Sequence, residues 1–124
     1  MTFKHIGICV NSIDETIAKW EKAFGLTVVR PKAKFPGQTS CLVCVGGTNI
    51  ELMEPDGEGT VKKFLERSGE GMHHLSVLVD DMNKAIEGFE AEGLSVMHHG
   101  DDPVAFVKPK GNFGVLFEVS TFAD

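Results

Sequence analysis

The sequence predicts an α+β fold built from two tandem βαβββ modules. Three observations carry that prediction. The first is an internal repeat. His5–Leu26 (HIGICVNSIDETIAKWEKAFGL) runs alongside the stretch from His74 to Leu94, inside GMHHLSVLVDDMNKAIEGFEAEGL. Ile6 meets Leu75, Ile8 meets Val77, Val10 meets Val79, Ile13 meets Met82, Ile17 meets Ile86 and Trp20 meets Phe89. After a one-residue gap, Gly25-Leu26 meets Gly93-Leu94. The second is a shorter repeat, Asn49-Ile50-Glu51-Leu52 against Leu116-Phe117-Glu118-Val119. The third is a change of apolar period within each copy, from that of a strand to that of a helix.

The elements follow in order. Phe3–Val10 is apolar and β-rich. Ser12 opens a helix, with Glu15 three residues on as in a capping box. Ile13, Ile17, Trp20 and Phe24 form one helical face, and Gly25 ends the helix. Thr27–Arg30 reads as a short strand, and Pro31–Gln38, with two prolines and a glycine, as a loop. Ser40–Val45 and Asn49–Glu54 read as strands joined at Gly46-Gly47. Pro55–Gly59 is a turn, and Thr60–Ser68 a connecting helix with Val61, Phe64 and Leu65 inward. The second copy supplies a strand at His73–Val79 and a helix at Met82–Glu92. Strands near Ser95, at Val104–Lys108 and at Val115–Ser120 complete it. The whole is expected to be one domain, residues 1–124, with module one at about 1–56 and module two at about 70–124.

Composition narrows the class. The chain of 124 residues is 42% hydrophobic, enough for a packed core. Its net charge of −6 argues against nucleic acid, which calls for a basic face. No apolar run approaches a membrane span, and the start, MTFKHIG, has no signal-peptide pattern. The three cysteines are too few, and odd in number, for a disulfide framework, which points to a reducing cytoplasm.

Each repeat delivers one histidine and one glutamate to the same kind of position. Alternation along a strand sets His5, Gly7 and Cys9 on one face and Ile6, Ile8 and Val10 on the other. It sets His74 and Ser76 opposite Leu75, Val77 and Val79. The aliphatic faces should cover the helices, while the small Gly7 and Ser76 leave room beside each histidine. This parity selects His74 over its neighbour His73. Glu51 and Glu118 lie mid-strand with aliphatic residues on the reverse face. A carboxylate buried there needs water, a cation or a metal. His5, Glu51, His74 and Glu118 are therefore the expected ligands of one divalent transition metal. Nitrogen and oxygen donors without thiolate suit Co, Ni, Mn, Fe or Zn, acting as a Lewis acid on a substrate with two oxygens.

Other features carry less. Cys41 and Cys44 are three apart in a strand, so they face opposite ways and read as small hydrophobes. His98-His99 read as a turn, and Lys108 and Lys110 as a solvated pair that an anionic ligand tail could reach.

With the repeat and the His/Glu pairs in hand, nearly the whole chain resembles the vicinal oxygen chelate superfamily. Within it, the sequence is most similar to the methylmalonyl-CoA epimerase family. The segments that carry the likeness are His5-Ile-Gly-Ile8, Ile50-Glu-Leu-Met-Glu-Pro55, Val61-Lys-Lys-Phe-Leu-Glu66, Gly69-Glu-Gly-Met-His-His74, Val79-Asp-Asp81 and Pro109-Lys110 leading to Gly114-Val-Leu-Phe-Glu118. The resemblance implies a cupped mixed sheet around a metal site, with His5, Glu51, His74 and Glu118 as ligands. It also implies an acyl-CoA substrate and a homodimer. The chain departs from that family in three places. Glu51 stands where relatives often have Gln. Lys34-Phe35-Pro36-Gly37-Gln38 lacks a loop carboxylate that relatives carry. The loop from His99 to Pro103 is shorter than usual, and Phe113 stands where relatives have Gly. The His/Glu/His/Glu set also resembles bacterial glyoxalase I (lactoylglutathione lyase), and that analogy implies Glu51 and Glu118 as the acid/base groups. A metal-free binding or resistance module is the alternative from another class.

Overall fold

The computed structural model describes residues 1–124. The elements are β1 Thr2–Cys9, α1 Ile13–Phe24, β2 Thr27–Phe35, β3 Gly37–Val45, β4 Thr48–Asp56, α2 Thr60–Ser68, β5 Gly71–Leu78, α3 Met82–Ala91, β6 Val96–Met97, β7 Val104–Val107 and β8 Phe117–Ser120. The βαβββ order thus occurs twice, with α2 between the copies. The fold is mixed α+β, as the repeat predicts. The chain groups into two compact units, residues 6–73 and residues 1–5 with 74–124. Both cuts fall at a histidine, His5 within β1 and His74 within β5. None of the helices is long and apolar enough to cross a membrane.

In the unit of residues 6–73, β1 runs parallel to β4, and β3 pairs antiparallel with both β4 and β2. Ser12 caps α1 by accepting the Glu15 N–H at 3.1 Å, and the Glu54 carboxylate takes the Ile13 N–H at 3.0 Å. The apolar face of α1 packs as its periodicity requires. Ile13 is buried with Val10, Leu26, Cys41, Val43 and Leu52, while Ile17 and Trp20 lie against them. Phe24 departs from the expectation: it is 62% exposed. Gly25 turns the chain at φ 67°, and Leu26 enters the core in its place. α2 covers the Cys9 end of β1, where Val61, Phe64 and Leu65 meet Cys9 and Met53.

The segment expected as a loop after Arg30 is instead strand. β2 continues to Phe35 and turns at Pro36 into β3, which begins at Gly37. Pro31 lies in a strand whose register to β3 shifts between Val28 and Arg30 and again between Arg30 and Ala33. A proline at a bulged edge strand removes no ladder hydrogen bond, so it does not break the strand. Gly37 is required by close approach: its φ is 80°, and a Cβ there would lie 2.8 Å from the Glu58 carbonyl oxygen.

In the other unit, β5 runs parallel to β8, β7 pairs antiparallel with β8, and β6 with β7. Asp81 caps α3 by accepting the Lys84 N–H at 3.1 Å. Val77, Val79, Met82, Ala105, Val107 and Val119 form the core, with Ile86 and Phe89 of α3 packed on it. β8 starts at Phe117 rather than Val115. The chain ahead of it is tied into turns by the Gly114 N–H to the Pro109 carbonyl and the Asn112 side-chain amide to the Val115 carbonyl.

Candidate metal centre

Strand parity delivers both histidines into the interior. His5 is 4% exposed and His74 6% exposed, next to the fully buried Ser76. The two imidazoles meet edge to face, ring centroids 5.4 Å apart, with their Nε2 atoms 3.3 Å apart. Glu118 brings Oε1 to 3.7 Å from His5 Nε2. Its position follows from register, since Glu118 pairs with Ser76, two residues beyond His74. The Ser76 hydroxyl donates to Glu118 Oε1 at 2.8 Å and holds that oxygen in place.

This group suits a metal. Two nitrogens each about 2.1 Å from one ion stand about 3.0 Å apart at a right angle and about 3.4 Å apart at a tetrahedral one. The observed 3.3 Å falls in that interval. Glu118 Oε1 stands 3.7 Å from one of them, His5 Nε2. Two imidazoles and a carboxylate, with no thiolate, form the donor set of a borderline or harder divalent ion.

Glu51 belongs to the other unit. It pairs with Gly7 of β1, two residues beyond His5, so both repeats place the glutamate opposite the second residue after the histidine. Ser40 donates to its Oε2 at a long 3.4 Å. Where the second repeat has Ser76 opposite the glutamate, the first has Gly7, and the hydroxyl comes from β3 instead. Burial first, then the negative charge of Glu51, pushes the Cys9 thiol up to about 11.

His73, next to His74, points elsewhere: its ring lies edge-on to Phe64 at 5.0 Å. Cys41 is buried in the α1 core with its thiol toward the Arg30 carbonyl at 3.3 Å, and Cys44 is half-buried. His98 Nε2 donates locally, to the Asp102 carbonyl at 2.8 Å.

Two contributors were not legible in sequence. Asp124 lies against His5, its carboxylate oxygens 2.8 and 3.0 Å from Nδ1. Lys4 approaches the same carboxylate at 3.7 Å and donates to Ser120 at 2.8 Å. Asp124 follows β8 in an irregular segment with no periodicity to place it. Ser76, read as a small neighbour, had the signal of sharing a strand face with His74.

Comparison with known proteins agrees with this architecture. Residues 4–108 match the model of the glyoxalase/bleomycin resistance protein/dioxygenase superfamily. The mitochondrial methylmalonyl-CoA epimerase of Dictyostelium discoideum is 30% identical over 125 residues, covering 93% of this chain and 75% of that one. The ethylmalonyl-CoA/methylmalonyl-CoA epimerase of Cereibacter sphaeroides is also 30% identical, covering 93% of both. The crystal structure of methylmalonyl-CoA epimerase from Mycobacterium tuberculosis superposes with a TM-score of 0.83 at 25% identity, over 99% of this chain and 89% of that one.

Proposed function

The chain belongs to the glyoxalase/bleomycin resistance protein/dioxygenase superfamily, and on that premise we propose that it is a metal-dependent epimerase of an acyl-CoA such as methylmalonyl-CoA. The observation that carries the reading is the pair of buried Nε2 atoms 3.3 Å apart, with the Glu118 carboxylate 3.7 Å from that of His5. The named activities of relatives at 30% identity supply the substrate class. His5, His74, Glu118 and Glu51 are the residues that would hold the ion. Glu51 is included because its register against Gly7 repeats that of Glu118 against Ser76. When bound, the metal supplies Lewis-acid stabilisation of negative charge on the thioester oxygen.

The protein's own groups move the proton. Epimerisation takes a proton from one face of the α-carbon and returns one to the other, so it needs two acid/base groups. The tip of the β2–β3 hairpin, Phe35-Pro36-Gly37, offers no carboxylate. We assign the two roles to Glu51 and Glu118. Ser76 holds one oxygen of Glu118, leaving proton transfer to the other. The long Ser40 contact restrains Glu51 less. The same His/Glu/His/Glu set would suit proton transfer in a thiol hemithioacetal, so a glyoxalase-type lyase is the second reading. We also propose that the chain works as a homodimer, which sedimentation would test.

The test follows the α-proton of methylmalonyl-CoA by NMR in deuterated buffer, with Co, Ni, Mn, Fe or Zn added in turn. Exchange is expected with at least one metal and should fall by roughly a hundredfold or more in Glu51→Ala and Glu118→Ala. Absence of exchange with every metal would sink the epimerase reading. Turnover of a methylglyoxal–thiol adduct instead would favour the lyase. No metal uptake at all would leave a binding module.

A further inference from the structure

We infer that Asp124, held by Lys4, is a positioning residue that sets the proton of His5 on Nδ1 and so turns Nε2 toward the metal centre. The inference rests on the metal reading above. Asp124 presents both carboxylate oxygens to His5 Nδ1, at 2.8 and 3.0 Å. An ionised carboxylate only accepts, so the shared proton belongs to Nδ1. In neutral His5, Nε2 then carries the lone pair, and Nε2 is the atom that faces His74 and Glu118. A metal-ligating imidazole needs that tautomer, and a carboxylate behind the ring also makes it a better donor.

Asp124 is itself held. Lys4 lies beside it with a side chain only 5% exposed, its Nζ 3.7 Å from Asp124 Oδ1. A nearly buried ammonium requires partners. Lys4 has three: the Asp124 carboxylate, the Ser120 hydroxyl at 2.8 Å and the Phe122 ring at 4.4 Å from its centroid. The Thr121 N–H to the Pro103 carbonyl ties the same segment down. That segment leaves directly from β8, which carries Glu118. One stretch of chain thus provides a proposed ligand and the group that orients another.

The decisive measurement is the tautomer of His5 in the metal-free protein, read from ring-nitrogen NMR correlations at a pH where the ring is neutral. Metal affinity is measured beside it by titration with Zn and Co. Wild type should show Nδ1–H. Asp124→Ala should shift the population toward Nε2–H and weaken metal binding ten- to a hundredfold. Asp124→Asn, whose amide oxygen still accepts, should keep Nδ1–H and lose only part of the affinity. Lys4→Met should fall between wild type and Asp124→Ala. A folded Asp124→Ala protein with the wild-type tautomer and affinity overturns the inference. If Asp124→Ala fails to fold, Asp124→Asn decides, and an affinity equal to wild type overturns it. A wild-type chain that takes up no metal overturns the metal reading instead, while the tautomer shift still decides the role of Asp124.

Discussion

Ser76 and Ser40 make a matched pair of hydroxyl contacts with unequal geometry. Ser76 is fully buried and 2.8 Å from Glu118, whereas Ser40 stands 3.4 Å from Glu51, beyond the usual range for a hydroxyl donor. Ser76→Ala should therefore destabilise the fold by about 1 kcal/mol, and Ser40→Ala by less. Thermal melts of the two variants, with metal titrations alongside, check the order. Equal effects would show that the distances do not rank the contacts. Cys9 gives a second prediction at this scale. Its thiol is pushed up to about 11, while an unfolded cysteine titrates near about 8.5. Between those values the folded chain binds the extra proton, so stability falls as pH rises through that window. Urea unfolding midpoints at pH 8 and pH 10 should diverge more in wild type than in Cys9→Ala. Much of this site was readable from strand parity, because His5, Gly7 and Cys9 must share a face, as must His74 and Ser76. Asp124 was not, since nothing in an irregular segment says which side chain it will meet.

At the scale of elements, β2 shows where local signals mislead. Pro31 and Pro36 read as a loop, yet β2 runs on to Phe35. The pairing that decides this lies in β3, through Ala33 with Ser40 and Phe35 with Gln38, and register shifts absorb the proline. Local propensity gives way when a neighbouring strand supplies the ladder. The first helix, by contrast, was legible because cap and period agree: Ser12 accepts the Glu15 N–H that its spacing predicts. The hairpin tip carries the prediction at this scale. Gly37 combines φ 80° with a would-be Cβ only 2.8 Å from the backbone oxygen of Glu58. Backbone cannot swing aside as a flexible side chain would. Gly37→Ala should destabilise by roughly 1–3 kcal/mol. Gly46→Ala meets no atom within 4 Å and carries only the strain of its φ of 56°, so it should lose less. A Gly37→Ala melt no lower than that of Gly46→Ala would refute the close-approach argument.

For the whole molecule, the duplication matters more than any one element. The repeats were legible because the same apolar positions recur in both, and with them the His and Glu of each copy. The division into compact units was not, because it falls inside β1 and β5 and depends on which strands pair. That distinction bears on metal binding. The proposed ligands come from both repeats, so their shared ion should stabilise the native chain as a whole. A ligand that binds only the folded state at a hundred times its Kd adds about 2.7 kcal/mol. For a chain of 124 residues this raises the melting temperature by roughly 10 °C. The rise should be seen in one cooperative transition on adding Zn or Co to wild type, reverse with a chelator, and disappear in His5→Ala and in His74→Ala. Glu51→Ala separates two possibilities, because a shift retained in full would confine the ion to His5, His74 and Glu118. A shift lost in Glu51→Ala as completely as in His74→Ala would make the glutamate of the first repeat a ligand in its own right, with each repeat contributing one histidine and one carboxylate.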